Sequence, residues 1–290
     1  MIQFKPQKAK TYGKDKIKDL SGPWYISKKY DGHQVFIVKQ SKSVRFFTSQ
    51  WKEFNIEAIR EPLSRLEEDF VLIGEYLYGC DGKLGSRSLS SKLTTFRTNF
   101  KKGITNSEED ESLSKIMVFD LLPVSHNNLI TSMRFVDRFL YLWNMRLPKK
   151  IHKVYHTFVS NFEDCIVKAD KLVSKGWEGA MLIDPYSIYN AGKRVHHAIK
   201  LKGRHTADLL CVGVEEGQGK YEGLIGSLLL KDSKGREVSV GSGLSDYDRA
   251  LQPSDFVGKV IEIEYERIDT TYIQPTFKSI REDKSIEEIN

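Results

Sequence analysis

Strand-like and helix-like patterns of hydrophobic residues alternate between Trp24 and Arg204. Three segments have the apolar spacing of amphipathic helices: Ile56–Leu66, Met133–Trp143 and residues 162–175, the last with Asn161 as its N-cap and Gly176 as its stop. Runs rich in Val, Ile, Phe and Tyr predict β-strands at Val35–Lys39, Val44–Thr48, Phe70–Tyr78, Ile116–Leu122, Ala180–Ile183 and Ala198–Lys202. This mixture predicts an α+β domain.

A different pattern begins at Ala207, where short strand candidates follow one another with glycine-containing turns between them. These candidates are Leu209–Val214, Gly226–Leu230, Glu237–Gly241, Val260–Glu266 and Thr276–Arg281. Five closely spaced strands predict a small closed β-barrel, and the OB-fold is the commonest form of such a barrel. We therefore predict two domains, residues 1–204 and 205–290.

The net charge of +6 is concentrated in a few segments. Residues 1–29 contain eight lysines and two aspartates, a surplus equal to that of the whole chain. Six bases and no acid lie in residues 82–103, and five bases and no acid lie in residues 192–204. These three basic islands favour a polyanionic partner. For residues 82–103 an exposed loop, followed by the solvated acidic run Glu108–Glu111, is an equal alternative.

The cysteines exclude two classes of protein. Cys80, Cys165 and Cys211 are an odd number without a C-x-x-C pair, so a disulfide scaffold and a four-cysteine zinc site are both excluded and a reducing compartment is favoured. No run of about 18 apolar residues is present, and the first segment lacks the apolar core of a signal peptide. We expect a cytoplasmic protein.

Charged residues at the ends of predicted strands form an ordered set. Lys29-Tyr30-Asp31-Gly32 precedes the first of these strands, and taken alone it is also the pattern of a turn. Glu75 and Glu178 lie in or just before later strands, and Lys200 and Lys202 share one face of another. Charged residues at such positions are seldom buried unless they are paired or functional. The set therefore indicates a functional site rather than residues that pack in the core.

Lysines and carboxylates in this combination are suited to phosphate chemistry. A lysine with an ordinary pKa is deprotonated to roughly one part in a thousand at neutral pH, so a nucleophilic lysine needs neighbouring cations. Lys200, Lys202 and a bound metal would supply these charges and would also neutralise a triphosphate. The carboxylates would hold Mg²⁺ (or Mn²⁺) through water molecules, as that ion prefers.

In order and spacing, the set resembles that of the covalent nucleotidyltransferases, and specifically the ATP-dependent DNA ligases of the minimal viral and phage type. The resemblance extends from about Trp24 to Lys284 and rests on six separated motifs. It implies an α+β nucleotidyltransferase (adenylation) domain followed by a small all-β OB-fold barrel. It also implies ATP and Mg²⁺ as substrate and cofactor, nicked duplex DNA as the partner, and a monomer.

The resemblance implies a role for each matching residue. Lys29, rather than Lys28, corresponds to the nucleophile that forms lysyl-AMP. Ser27 falls where the family contacts adenine, and Phe119 corresponds to the aromatic residue that stacks on it. The remaining correspondences are Glu75 for the ribose or the metal, Glu178 for the metal, Arg194, Lys200 and Lys202 for the phosphates, and Arg281, Asp283 and Lys284 for the barrel motif that orients the departing pyrophosphate.

Two positions depart from the family's pattern. Gln34 and Gln50 stand where arginines are usual, the second in Ser49-Gln50, and glutamine forms hydrogen bonds but carries no charge. These departures affect the expected affinity for a nick or the step at the 5′-phosphate more than the adenylation of the lysine, and they keep an RNA ligase as an alternative. Arg45 or the basic residues between 83 and 102 are candidates to compensate. An RNA ligase, an mRNA-capping guanylyltransferase and a non-catalytic OB-fold nucleic-acid binder are the alternatives.

Overall fold

The computed structural model describes residues 5–83 and 90–290, and the chain folds into two compact units. Unit 1 is Met1–Lys202 and unit 2 is Gly203–Asn290. The boundary predicted from the sequence lies two residues further along the chain. None of the helices within the described ranges is long and apolar enough to span a lipid bilayer.

Unit 1 combines strands and helices, as the sequence pattern predicts. Its strands are β1 Lys8–Thr11, β2 Trp24–Lys28, β3 His33–Gln40, β4 Ser43–Thr48, β5 Glu53–Phe54, β6 Phe70–Tyr78, β7 Ser114–Ser125, β8 Asn128–Leu129, β9 Ile151–Lys153, β10 Thr157–Val159, β11 Gly179–Ile183 and β12 Arg194–Lys202. Its helices are α1 Glu57–Ser64, α2 Ser90–Lys102, α3 Glu108–Leu113, α4 Phe135–Asn144 and α5 Phe162–Val173. β6 coincides with its predicted range, whereas the pattern missed β1 and β2.

The strands of unit 1 form two sheets. The first has the order β1-β12-β11-β2-β10, with β1 parallel to β12 and the other pairs antiparallel. The second has the order β5-β4-β3-β6-β7-β8, with β9 parallel to β7. Apolar residues of α5 pack on the first sheet, where Phe162, Cys165 and Ala169 are buried. Asn161 caps α5 by accepting a hydrogen bond from the Asp164 N–H at 2.8 Å, as expected.

The acidic run is not simply solvated, which corrects the expectation for Glu108–Glu111. These residues begin α3, and the buried Glu111 carboxylate accepts hydrogen bonds from the backbone N–H groups of Glu57 and Ala58, both at 2.8 Å. Those groups open α1 and have no intrahelical acceptor. Glu111 therefore caps a helix far from it in sequence.

The second basic island also differs from an exposed loop. Residues 90–102 form α2, with Phe96 in the core of the second sheet and Lys92 paired with Asp110 at 2.7 Å. Lys101 and Lys102 are exposed in the last turn. The part of the island at 84–89, including Arg87, lies outside the described residues.

Unit 2 is mainly β-structure with its own apolar core. Its elements are β13 His205–Glu216, β14 Ile225–Lys231, β15 Glu237–Val240, α6 Asp246–Ala250, β16 Val260–Tyr265, β17 Arg267–Ile268, β18 Tyr272–Ile273 and β19 Thr276–Ile280. Five strands form an antiparallel sheet in the order β15-β14-β13-β16-β19. β15 and β19 end this order, so the barrel is partly open, as is usual for OB folds, rather than closed.

Candidate active site

β2, β11 and β12 bring three residues of the site into one row. In their register, Met181 lies opposite Ser27 on one side and opposite Lys200 on the other. Directly opposed residues project from the same face of a sheet. All three line a cavity of about 570 Å³ in unit 1.

Lys29 and Lys202 meet at one buried carboxylate. The Lys29 N–H donates a hydrogen bond to the Gly179 carbonyl at 3.0 Å, which sets Lys29 beside Glu178. Lys29 Nζ donates to Glu178 Oε2, and Lys202 Nζ lies 3.2 Å from Glu178 Oε1. The tertiary structure thus brings together three charged residues that lie far apart in the sequence.

Gly179 makes this arrangement possible. Its φ is +140°, and a Cβ at this position would lie 2.0 Å from the Leu201 carbonyl oxygen. Only glycine adopts this backbone conformation without strain and allows the two strands to approach so closely. Glu178 is therefore held against the end of β12, beside Lys202.

The charges of the cluster influence one another. Burial raises the pKa of Glu178, but the charges and hydrogen bonds of Lys29 and Lys202 outweigh this and hold it below its usual value. The pKa of Lys200 is lowered by burial first and then by the positive charges of Lys29 and Lys202. The cluster therefore presents an ionised carboxylate within a surplus of positive charge, which suits a phosphate ligand.

Glu75 approaches the same cluster from the second sheet. It lies opposite Gln34 in the register of β3 and β6. Burial raises its pKa to about 8, and the charge of Lys29 acts in the opposite direction. A Cβ at Gly32 would lie 2.8 Å from Glu75 Cγ, so the glycine of the Lys29–Gly32 motif lets this loop pack against β6.

Phe119 lies in a β-bulge. Ile73 pairs with Asp120 and Gly74 pairs with Val118, which leaves Phe119 as the extra residue of β7. A bulge changes the direction of a side chain relative to a regular strand. Phe119 is half-buried and lines the cavity.

Lys28 has surroundings different from those of Lys29. Its Nζ lies 4.2 Å from the centre of the Trp177 ring, a cation–π geometry. Lys29, not Lys28, contacts the buried Glu178. The two adjacent lysines therefore have different contacts, a carboxylate for Lys29 and an aromatic ring for Lys28.

Sequence reasoning missed the contribution of β1. This strand pairs with β12 so that Lys8 lies opposite Arg194, and both residues line the cavity. The guanidinium of Arg194 donates to the Ala9 carbonyl at 3.2 Å and is about half exposed. Three lysines of the basic N-terminal island, Lys8, Lys28 and Lys29, thus line the cavity, and the sequence pattern did not predict this placement of β1.

Gln34 and Gln50, which depart from the family's pattern, also line this cavity, together with Ser49. The Ser49 N–H donates to the Gln34 carbonyl at 3.2 Å, which keeps the two segments adjacent. Arg45, one candidate to compensate, forms an ion pair with Glu53 and lines a different cavity.

The cavity is also lined by residues for which the sequence offers no clear signal. His156 and Tyr189 are both buried and both line the cavity. Arg138, whose guanidinium lies 5.9 Å from the centre of the Tyr189 ring, forms a buried, two-pronged ion pair with Asp120, with Nε–Oδ1 at 2.8 Å and Nη2–Oδ2 at 2.9 Å. Arg138 lies on α4. The sequence predicts this helix but does not reveal the contact with Asp120.

In unit 2, the predicted barrel motif is organised around Asp208. Arg281 Nη1 lies 3.3 Å from Asp208 Oδ1, and Lys284 Nζ lies 2.5 Å from Asp208 Oδ2. Arg281 also pairs with Asp283 at 2.7 Å. The motif is thus a cluster of basic groups held by carboxylates, and Asp208 is a member that the sequence did not reveal.

Comparisons with known proteins agree with this geometry. Residues 6–202 match the family model described as the ATP dependent DNA ligase domain, and residues 216–281 match the DNA ligase OB-like domain. A DNA ligase of Methanosphaerula palustris is 29% identical over 90% of this chain and 51% of its own length. A DNA ligase of Methanococcus aeolicus is 26% identical over 99% and 56%. The chain spans about half the length of these relatives.

Solved structures share the fold. A Lig E DNA ligase superposes with a TM-score of 0.65 at 19% identity, over 97% of this chain and 100% of that one. The ATP-dependent DNA ligase of bacteriophage T7, in complex with ATP, has a TM-score of 0.53 at 17% identity, over 96% and 98%. Since the first family model covers more than half of the chain and its residues include the whole lysine–carboxylate cluster, the chain belongs to the ATP-dependent DNA ligase family.

Proposed function

We propose that this protein uses ATP to seal nicks in duplex DNA through a lysyl-AMP intermediate on Lys29. The observation that carries the proposal is the position of Lys29 Nζ against the buried Glu178, with Lys202 on the same carboxylate. A lysine in this position is held in one place, next to cations that bind phosphate.

The reaction has three steps. Lys29 Nζ, after losing a proton, attacks the α-phosphorus of ATP, and an N–P bond forms as the bond to pyrophosphate breaks. Lys200 and Lys202 stabilise the charge on the phosphate oxygens. The adenylyl group then passes to the 5′-phosphate of the nick. The 3′-hydroxyl finally attacks that phosphate and displaces AMP.

The carboxylates fit a divalent cation of the Mg²⁺ type. Glu75 and Glu178 are oxygen donors close enough to influence each other's charge. Within the described ranges no group of three or more ligating side chains is preassembled, and Mg²⁺ is commonly held by one or two carboxylates together with substrate phosphates and water. When bound, Mg²⁺ or Mn²⁺ would neutralise the phosphates of ATP. Burial makes ionisation of Glu75 unfavourable, and a neighbouring cation would favour it.

The remaining roles belong to the same proposal. Ser27 and Phe119 bind the adenine, Arg194 contacts a phosphate, and residues 205–290 act as the OB-fold domain. In that domain, Arg281, Asp283 and Lys284 orient the departing pyrophosphate. Their support is the resemblance together with the compact basic cluster around Asp208.

The proposal also includes a monomer in the cytoplasm. All the groups of the lysine–carboxylate cluster come from a single chain, so a partner subunit is not required for it. Cys165 and Cys211 are buried free thiols and Cys80 is a half-buried one, which is usual for a protein of a reducing compartment.

The proposal is tested by labelling and sealing in sequence. Purified protein is incubated with Mg²⁺ and ATP labelled at the α-phosphate, and nicked duplex DNA is then added. We expect label on the protein, its loss from Lys29→Ala but not from Lys28→Ala, and sealing of the nick. Labelling by GTP alone would indicate a capping guanylyltransferase, and sealing of RNA ends alone would indicate an RNA ligase. Absence of any label would indicate the remaining alternative, a non-catalytic OB-fold nucleic-acid binder.

A further inference from the structure

His156 is buried at the wall of the active-site cavity with one ring nitrogen unused. The side chain is 4% exposed, yet it lines the cavity. Its Nδ1 lies 3.0 Å from the Val154 carbonyl oxygen. Its Nε2 has no hydrogen-bond partner among the residues that the structure describes. A buried polar atom without a partner is costly, and in an active site it indicates a ligand contact.

The neighbours of His156 determine which nitrogen carries hydrogen. A carbonyl oxygen only accepts hydrogen bonds, so the contact with Val154 requires a hydrogen on Nδ1. Burial lowers the pKa of His156 to about 4, so the ring is neutral at physiological pH. A neutral ring with hydrogen on Nδ1 has a lone pair on Nε2. The unused atom is therefore a hydrogen-bond acceptor.

Aromatic rings surround the His156 side chain, and the charged group that acts on it is the carboxylate of Asp120, which is paired with Arg138. The rings of Phe135 and Phe139 lie 5.2 and 5.3 Å from that of His156, and Tyr25 lies 6.3 Å away. The segment of His156 is tied to the strand of Phe119, because the Val154 N–H donates to the Val118 carbonyl at 2.7 Å. Aromatic surroundings of this kind suit a purine base, not a triphosphate.

We propose that His156 is a specificity-determining residue that recognises the purine: its Nε2 accepts a hydrogen bond from the 6-amino group of adenine. Guanine has a carbonyl oxygen at the same ring position, and two acceptors facing each other repel. The contact therefore favours ATP over GTP. The inference rests on the proposed function, because it assumes that the cavity binds the nucleotide.

The tautomer of His156 is set before the base binds. Val154 holds Nδ1, and the ring is enclosed by aromatic neighbours, so its orientation is fixed before the base arrives. A site that is already arranged to accept a hydrogen bond rejects a substrate that lacks the donor, because the acceptor then stays unpaired. Removing the amino group from the base and replacing His156 should therefore have non-additive effects on kcat/KM.

The experiment measures this dependence by comparing nucleotide substrates, including GTP, in the wild type and in variants of His156. The substrates are ATP and purine riboside 5′-triphosphate, which carries hydrogen in place of the 6-amino group. For each, kcat/KM of Lys29 labelling is measured with the wild type and with His156→Leu. The matched control is His152→Leu, which replaces an exposed histidine of the same segment.

We expect the wild type and His152→Leu to prefer ATP over the purine analogue by about 10-fold, the size of one hydrogen bond to an otherwise unpaired acceptor. His156→Leu should lose this preference and should use GTP better relative to ATP. Each ratio is internal to one protein sample, so incomplete folding of the variant does not change it. A second variant, His156→Gln, keeps an acceptor and should recover part of the preference.

Two failures are distinguishable. If the wild type is labelled by ATP and the purine analogue equally well, or if His156→Leu keeps the wild-type ratio, the inference about His156 is overturned and the proposed function stands. If the wild type takes no label from either substrate, the proposed function is overturned and the inference with it.

Discussion

Single buried residues couple the folding of unit 1 to pH, and His156 is the clearest example. Its pKa is lowered by burial to about 4, against about 6.5 for an exposed histidine. Between these values the unfolded chain binds a proton that the folded chain does not, so stability falls as pH falls through this window. Above pH 6.5 the ring is neutral in both the folded and the unfolded chain, so its lowered pKa does not reduce the stability there.

The prediction at this scale concerns stability. Between pH 7.5 and pH 4.5 the wild type should lose about 2.5 kcal/mol more free energy of unfolding than His156→Leu, because leucine does not titrate. Urea unfolding followed by tryptophan fluorescence measures this, since all four tryptophans, at positions 24, 51, 143 and 177, lie in unit 1. Equal losses in the two proteins would mean that the ring is protonated or solvated in the folded state.

Among the elements, α1 depends on a residue of another helix. Glu111 of α3 accepts hydrogen bonds from two N–H groups at the start of α1, whose own N-cap, Ile56, offers no side-chain acceptor. A carboxylate at a helix N-terminus also interacts favourably with the helix dipole. The two helices therefore stabilise each other through one side chain.

Replacing Glu111 tests this contact. Glu111→Ala should lower the free energy of unfolding of unit 1 by about 2 kcal/mol, the upper end of the effect of losing a helix cap. Glu109→Ala, at an exposed position of the same helix, is the control and should change it by less than about 0.5 kcal/mol. Similar effects of the two substitutions would show that the cap contributes little.

For the whole molecule, the basic residues divide into groups that differ in their exposure to solvent. Lys29, Lys200 and Lys202 form a partly buried cluster with Glu178 in the middle, whereas Lys101 and Lys102 are exposed. Salt screens exposed charges strongly and buried ones weakly. Binding to a DNA backbone also releases counterions, so it weakens steeply with added salt.

Under the proposed function, labelling of Lys29 by ATP and binding of a nick should therefore respond differently to salt. Between about 50 and 200 mM NaCl we expect nick binding to fall by roughly 1,000-fold, while labelling of Lys29 by ATP falls only severalfold. Replacing Lys101 and Lys102 by glutamine should reduce the salt dependence of nick binding, and Lys171→Gln on α5, outside the three basic islands, should leave it nearly unchanged. Equal salt dependence of labelling and nick binding would contradict this division.

Local patterns in the chain were enough to predict the family, the two-part organisation, most of the longer strands of both units and the helices α1, α4 and α5. The spacing of apolar residues that predicts β6 and α5 is a local property of the sequence. The order of the motifs along the chain is likewise independent of their positions in the folded structure. The prediction of Lys29 as the nucleophile rests on its spacing to Asp31 and Gly32, which is also a local feature of the sequence.

Which residues face one another depends instead on the folded arrangement of distant segments. β1 and β2 are short and mixed in character, so their strand conformation depends on pairing with β12 and β11, and the role of Lys8 in the cavity wall depends on it in turn. The use of Glu111 as a cap, of Asp208 as the anchor of the barrel motif, and of His156 as an unpaired acceptor each depends on contacts between distant segments. Such contacts are set by strand register and packing, which no local pattern in the chain records.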